Sequence, residues 1–376
     1  MTNRLVALDL PGGEAFVSAL RTVWERGDAV LPLDQRLPAS ARAQLLSSLA
    51  PTHLWGPDGQ QRPLPGGYEV RTGDALVVAT SGSTGAPRGV VLTHAAVASS
   101  AEASTATLHV TDDDHWLACL PLSHVGGLSV VTRALHSGNR LTVLPHADPL
   151  AIAASTRGAA PVTLVSLVPT LLQRVDVGRF RKVLLGGSRP PADRPPHVIA
   201  TYGMTETGSG VVYDGWALPG VELRVDHFGV IHVRGPMLMR CYRDGTVPLD
   251  PDGWLRTGDI GGFEPDGRLR VQGREGDLII TGGENVWPDP VEAILATHPL
   301  VAEVAVAGTS DAEWGQIVTA WVVPADGGTP PTLEVLRQHV SEHLPAFCAP
   351  RRLELVDALP RTALGKIRRS ALTAPG

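Results

Sequence analysis

The chain has 376 residues, 43% of them hydrophobic, and a formal net charge of -6 from 38 acidic and 32 basic residues. That length predicts two or more domains with cores that need no staples, and the acidic balance without a basic block gives no indication of a nucleic-acid-binding face. Cys119, Cys241 and Cys348 are too few and too scattered for a disulfide framework or a Cys-rich zinc site, and no leader-like apolar region or run of 18 apolar residues occurs, so a soluble, cytoplasmic protein without membrane insertion is expected.

From Ala75 to about Thr201 short β-branched runs alternate with helical patterns. Strands are predicted at Leu76 to Val78, Trp116 to Leu120, Leu141 to Leu144, Val162 to Val165, Val183 to Leu185 and Val198 to Thr201, with helices at Ala95 to Thr107, Leu128 to Leu135 and Pro169 to Val175. Such alternation predicts an α/β fold with mainly parallel sheets, in which ligands bind beyond the carboxyl ends of strands. After Gly220, short strands with turn signals predict a small antiparallel or barrel-like subdomain. Beyond Gly273 a small α+β region is expected, with strands at Leu278 to Thr281, Val304 to Gly308 and Val318 to Val323 and helices at Pro290 to Thr297 and Leu333 to Leu344.

Five turns carry the chemistry. Thr80-Ser-Gly-Ser-Thr-Gly-Ala-Pro-Arg-Gly89 sets hydroxyls among glycines after an apolar run, a donor-rich stretch suited to phosphate oxygens or to an ordinary surface loop. It is not a Walker A loop, because no Gly-Lys-Ser/Thr follows at the required spacing. Tyr202-Gly-Met-Thr-Glu-Thr-Gly208 places a hydroxyl and a hard carboxylate in one turn, suited to a magnesium nucleotide or to helix capping. Thr257-Gly-Asp259 offers a carboxylate in a tight turn, and Gly273-Arg274 lies near it. Thr281-Gly-Gly-Glu-Asn285 is a sharp glycine turn, and Pro360-Arg-Thr-Ala-Leu-Gly-Lys366 carries one of only two lysines, the other being Lys182.

Taken together, in this order and spacing, these turns resemble the adenylate-forming enzymes, a superfamily that includes acyl-CoA synthetases, over residues 75 to 370. The resemblance implies residues 1–273 as an ATP- and acyl-binding domain, a hinge at 274–276 and a mobile domain at 277–376. It makes Thr80, Ser81, Gly82, Ser83, Thr84, Gly85, Arg88 and Gly89 the loop on the ATP phosphates. Thr205 becomes a phosphate contact, Glu206 the magnesium ligand, Tyr202 a nucleotide contact, and Asp259 and Arg274 the ribose contacts. Gly282 and Gly283 would flank a CoA channel, and Lys366 would be the lysine that offsets charge at the α-phosphate. Two departures stand out: Arg88 occupies a position that is usually lysine, and Gly276 occupies a hinge position that is usually Asp or Lys.

Within the superfamily the stretches Leu120 to Ser129, Val165 to Arg174 and Leu184 to Ser188 resemble the o-succinylbenzoate-CoA ligases of menaquinone biosynthesis. By that resemblance His124, Ser166, Gly186, Gly187, Gly203 and Met204 border the acyl group, and Arg133 and Arg174 are candidates to pair a second substrate carboxylate. The implied substrates are a carboxylic acid, ATP and CoA, with Mg2+ as cofactor. A homodimer is left open, as are two other readings: loading of an acid onto a carrier protein, and a non-catalytic nucleotide-binding module.

Overall fold

The computed structural model describes residues 2–81, 87–191, 193–325, 330–361 and 367–372. The chain divides into two units, one formed by Met1–Leu223 with Val233–Leu255, the other by Arg224–His232 with Arg256–Gly376.

The first unit begins with parallel strands β1 (Leu5–Leu8) and β2 (Ala29–Pro32) joined by α1 (Glu14–Glu25), followed by α2 (Ala39–Leu49), β3 (His53–Trp55) and β4 (Gln61–Pro63). Both strands are wholly buried, as expected of a parallel sheet covered on two faces, and α1 lays Phe16, Ala19, Leu20 and Val23 against them. Next come β5 (Asp74–Ser81) and β6 (Pro87–Thr93), then α3 (His94–Leu108), capped by the Thr93 hydroxyl, which accepts from the Ala96 amide at 3.1 Å.

Chain order then runs β7 (His115–Ala118), α4 (Val125–Ser137), β8 (Arg140–Val143), β9 (Leu164–Leu167), β10 (Lys182–Leu185), β11 (Val198–Gly203), β12 (Gly210–Tyr213), β13 (Trp216–Ala217) and β14 (Cys241–Tyr242). These strands build two seven-stranded sheets. One has the order β14-β6-β5-β2-β1-β3-β4; the other, β8-β7-β9-β10-β11-β12-β13, is parallel from β8 to β11.

Two local features differ from the sequence expectation for physical reasons. The chain returns from the hydroxyl- and glycine-rich loop as strand β6, so that loop closes an antiparallel hairpin in which Thr80 faces Arg88 and Ser81 faces Pro87. Helix α4 starts three residues earlier than predicted and takes in Gly126 and Gly127. A side chain on Gly127 would collide with the carbonyls of Leu120 and Pro121, so this glycine lets the helix start against backbone.

In the second unit β15 (Leu255–Phe263) and β16 (Leu269–Arg274) form an antiparallel ladder from Asp259 opposite Arg274 to Phe263 opposite Leu269. A five-stranded sheet follows, made of β17 (Ile279–Thr281), β18 (Glu284–Val286), β19 (Val301–Asp311), β20 (Gly315–Pro324) and β21 (Arg352–Leu355). Its core joins Ile279, Val304, Val306, Val318 and Val322 to Val291 and Leu295 of α5 (Pro288–Leu295) and to Leu336 and Val340 of α6 (Leu333–Ser341).

A buried ion pair secures the edge of the first sheet. Asp74, with a side chain 1% exposed, accepts from Arg240 Nε at 2.8 Å and Nη2 at 2.7 Å, while the Arg240 amide donates to the Val91 carbonyl at 2.9 Å. Removing one partner of such a pair strands the other charge. Asp74→Ala should therefore lower the unfolding free energy by about 2–3 kcal/mol, measured by urea denaturation at pH 7.

Candidate active site

The first unit gathers one half of the predicted residues. Residues 82–86, with Gly82, Ser83, Thr84 and Gly85, lie outside the described residues, and so does the side chain of Ser81. The stem is defined: Thr80 and Arg88 pair across the hairpin. The Arg88 guanidinium stacks on Tyr242, 3.6 Å from the ring centroid, and its Nη2 stands 3.4 Å from Asp244 Oδ2. Gly89 is buried, and a Cβ there would come within 3.0 Å of Val77, Leu49 and Arg243, so side-chain packing already demands glycine.

The second turn is built on the end of β11. Tyr202 pairs with Val212 across to β12, and Gly203 sits where any side chain would collide with the Ser209 carbonyl. Met204 donates its amide to the Thr207 hydroxyl at 2.9 Å, and fully buried Thr207 donates to the Ser209 carbonyl at 2.7 Å. This closes the single 3-10 turn Thr205–Thr207 and leaves Thr205 and Glu206 half-exposed. Glu206 is fixed twice, its carbonyl accepting the Met239 amide at 2.8 Å and its Oε1 accepting the Tyr242 hydroxyl at 2.9 Å. Burial, and then the Glu206 charge, push the Tyr242 phenol up to about 12, so the phenol is a donor at neutral pH. Thr205 and Glu206 offer only hard oxygen donors. Such donors fit magnesium held by one carboxylate, phosphates and water; among the described residues no group of three or more His, Cys, Asp or Glu could hold a metal by itself.

The predicted acyl-side residues fall on neighbouring strand ends of the parallel sheet. Ser166 is buried on β9, while Gly186 and Gly187 follow β10; Gly186 packs on the Thr201 hydroxyl and Gly187 has φ +90°. His124 begins α4, its Nε2 3.3 Å from Asp34 Oδ2. Burial pushes the Asp34 carboxyl up, but hydrogen bonds from Arg36 and His124 outweigh it and hold it well below the usual carboxylate range. Arg174 is exposed after the short helix Pro169–Leu172. Arg133 is buried instead, with Nε donating to Ser104 at 2.9 Å and Nη2 to Tyr213 at 3.4 Å, beside the Trp116 ring. Among the described residues its Nη1 has no hydrogen-bond partner.

The second unit holds the remainder. Asp259 is buried; its amide donates to the Thr257 hydroxyl at 3.0 Å, which donates to the Ile231 carbonyl at 2.7 Å. Its Oδ1 accepts from Arg274 Nε at 2.8 Å, so the two predicted ribose contacts meet each other across the β15–β16 ladder. Gly276 is the middle of the turn Glu275–Asp277, and a Cβ there would meet open space. Gly282 (φ +58°) and Gly283 (φ +87°) make the two-residue turn between β17 and β18, where the left-handed region favours glycine. The face of Gly282 is covered by Trp314, whose other neighbour is the Arg351 guanidinium, 3.8 Å from the ring centroid. Lys366 lies outside the described residues, but its flanks are tied: Arg361 bridges to Ile367 and Glu303, and Arg369 donates to Asp277, Asp289 and Glu292.

Tyr242, Asp34, Trp314 and Arg369 are contributions that sequence reasoning missed. Tyr242 stands in Arg240-Cys-Tyr-Arg-Asp244, a stretch with no turn signature or spacing that points to Glu206, thirty-six positions earlier.

Comparison with known proteins identifies the chain's family. The AMP-binding enzyme model matches residues 60–243 and the AMP-binding enzyme C-terminal domain matches 290–366. A probable 2-succinylbenzoate--CoA ligase of Mycobacterium tuberculosis is 38% identical over 89% of this chain and 96% of its own length. The 2-succinylbenzoate--CoA ligase of Bacillus anthracis is 36% identical over 79% of this chain and 69% of its own. The o-succinylbenzoate CoA synthetase of Bacillus subtilis, solved with the acyl-adenylate intermediate OSB-AMP, superposes with a TM-score of 0.87 at 27% identity, covering 99% of this chain and 88% of that one. The same enzyme with ATP and magnesium ion gives 0.86 at 27% identity over 98% and 89%. With both family domains matched in order and a relative this similar along nearly its whole length, the chain belongs to the AMP-binding enzyme family.

Proposed function

We propose that this chain is an ATP-dependent acid–thiol ligase that activates o-succinylbenzoate as an acyl-adenylate and transfers the acyl group to CoA. The observation that carries the reading is the 38% identity to a named 2-succinylbenzoate--CoA ligase over 96% of that protein's length. In the first half-reaction a carboxylate oxygen of the acid attacks the α-phosphorus of ATP and pyrophosphate leaves. In the second the CoA thiol attacks the mixed anhydride and AMP leaves.

The roles proposed for individual residues follow from their chemistry. The hydroxyls and amides of residues 80–89 hold the β- and γ-phosphates. Thr205 donates to phosphate, and Glu206 is the carboxylate that would hold magnesium, whose charge, when bound, neutralises the phosphates. Asp259 accepts from the ribose hydroxyls beside Arg274. Ser166, Gly186, Gly187, Gly203 and Met204 line the acyl group, with His124 oriented by Asp34. Lys366 supplies a fixed cation against the charge that develops as pyrophosphate departs.

The two half-reactions ask for different surroundings, and Gly276, where an added Cβ would meet open space, supplies a glycine backbone suited to a large change of φ and ψ. Gly282 and Gly283 then admit pantetheine close to bare backbone. Three cysteines with no disulfide among them suit a reducing compartment, here the cytoplasm; among the described residues no helix is long and apolar enough to cross a membrane. All of these roles lie in one chain, and a homodimer is compatible with them.

Incubation with o-succinylbenzoate, MgATP and CoA should yield the CoA thioester, AMP and pyrophosphate by mass spectrometry, with no thioester when any one substrate is omitted. Product formation with a different acid only would discard the substrate assignment. Lys366→Ala should lose about 10²–10³ in the rate of pyrophosphate release while retaining most of the thioester step from supplied acyl-adenylate; equal loss in both would contradict the two-step roles. Asp259→Ala should raise KM for ATP about tenfold yet leave KM for 2′,3′-dideoxy-ATP nearly unchanged, because the mutation and the deletion remove the same contact.

A further inference from the structure

Glu206 and Arg88 are both contacted by the short segment 239–244, which no turn motif marked. Its backbone is pinned on both sides of Tyr242. Cys241 and Tyr242 pair antiparallel with Val91 and Val90 of β6. Before them Arg240 is locked to buried Asp74. After them the Arg243 amide donates to the Gly89 carbonyl at 2.7 Å, and its guanidinium donates to the carbonyls of Leu49, Glu69, Ala50 and Tyr68 while stacking 3.5 Å from the Tyr68 ring centroid. With both neighbours anchored, the backbone of Tyr242 has a single defined position.

From that position the side chain does two things. Its hydroxyl donates to Glu206 Oε1 at 2.9 Å, which takes one lone pair of that oxygen, orients the carboxylate and leaves Oε2 as the oxygen with no donor from Tyr242. Its ring carries the Arg88 guanidinium face-on at 3.6 Å, a contact for which planar arginine is better suited than lysine. The Met239 amide on the same segment holds the Glu206 carbonyl. One anchored stretch thus sets both the metal-type carboxylate and the arm of the phosphate loop.

We infer that Tyr242 is a positioning residue: its hydroxyl presents Glu206 as a one-oxygen ligand to the nucleotide's magnesium, and its ring holds Arg88 at the base of the phosphate loop. The inference rests on the roles proposed above for Glu206 and Arg88. Hydrogen bonds that orient a metal's carboxylate ligand are worth about 10–100-fold in metal affinity, so loss of the hydroxyl alone has a readable effect.

The test is Tyr242→Phe, which keeps the ring and removes the hydroxyl. Electron paramagnetic resonance titration of Mn2+ into enzyme with α,β-methylene-ATP should show metal affinity weakened about tenfold, with affinity for metal-free nucleotide unchanged by calorimetry. The Mg2+ concentration for half-maximal pyrophosphate release should rise by the same factor. Tyr242→Leu, which also removes the stack on Arg88, should in addition weaken binding of the metal-free nucleotide. A Tyr242→Phe protein with wild-type Mn2+ affinity and Mg2+ dependence would overturn the inference, and so would one that loses metal-free nucleotide equally. A wild-type protein that neither binds the nucleotide nor releases pyrophosphate would overturn the ligase reading and this inference with it, whereas an active wild type beside an indistinguishable Tyr242→Phe overturns this inference alone.

Discussion

Two arginines, Arg240 and Arg243, tie the strand Cys241–Tyr242 to the edge of the first sheet, and the side of that unit that carries Arg88 and Glu206 depends on this attachment. The two work differently. Arg240 neutralises Asp74, a carboxylate that burial would otherwise make costly. Among the described residues Arg243 meets no carboxylate; its donors satisfy carbonyls at the end of α2 and in the following loop, including Leu49 and Ala50, which the helix itself leaves without partners. A cation at a helix C-terminus is also favoured by the helix dipole. Between these anchors the chain holds one aromatic ring against Glu206 and Arg88.

The glycines of the signature turns serve separate physical needs that look alike in sequence. Gly127 and Gly203 are required because backbone carbonyls occupy the space of a side chain, and Gly89 because Val77, Leu49 and Arg243 do. Gly282 combines a left-handed backbone with an indole, that of Trp314, lying on its face. Gly276 has neither constraint. That contrast separates glycines that packing or a left-handed backbone demands from one that neither explains.

Charge is organised by unit as well. In the second unit Asp259 and Arg274 pair across one ladder, so a ligand hydroxyl reaching this carboxylate meets an acceptor already oriented. Arg369 draws together Asp277, next to the glycine turn, and Asp289 and Glu292 at the start of α5. Three carboxylates around one cation leave an excess of negative charge, and burial raises the Glu292 pKa accordingly. This cluster fixes the chain three residues beyond Lys366 to the residue that follows Gly276.

The sequence by itself determined the family, the α/β class and the order of the chemical turns, because these depend on local properties. Hydrophobic runs of strand length, hydroxyls beside glycines, and a carboxylate in a turn all act over a few residues, and the strands predicted from Leu76 to Thr201 lie within or beside those observed. Only the tertiary structure decided which side chains those turns would meet. The pairing of Thr80 with Arg88 depends on β6 returning along β5, and the partners Tyr242 for Glu206, Asp34 for His124 and Trp314 for Gly282 come from 36, 90 and 32 positions away. Contacts over such separations depend on how the sheets are ordered and packed, which leaves no periodicity or spacing in the chain to reveal them.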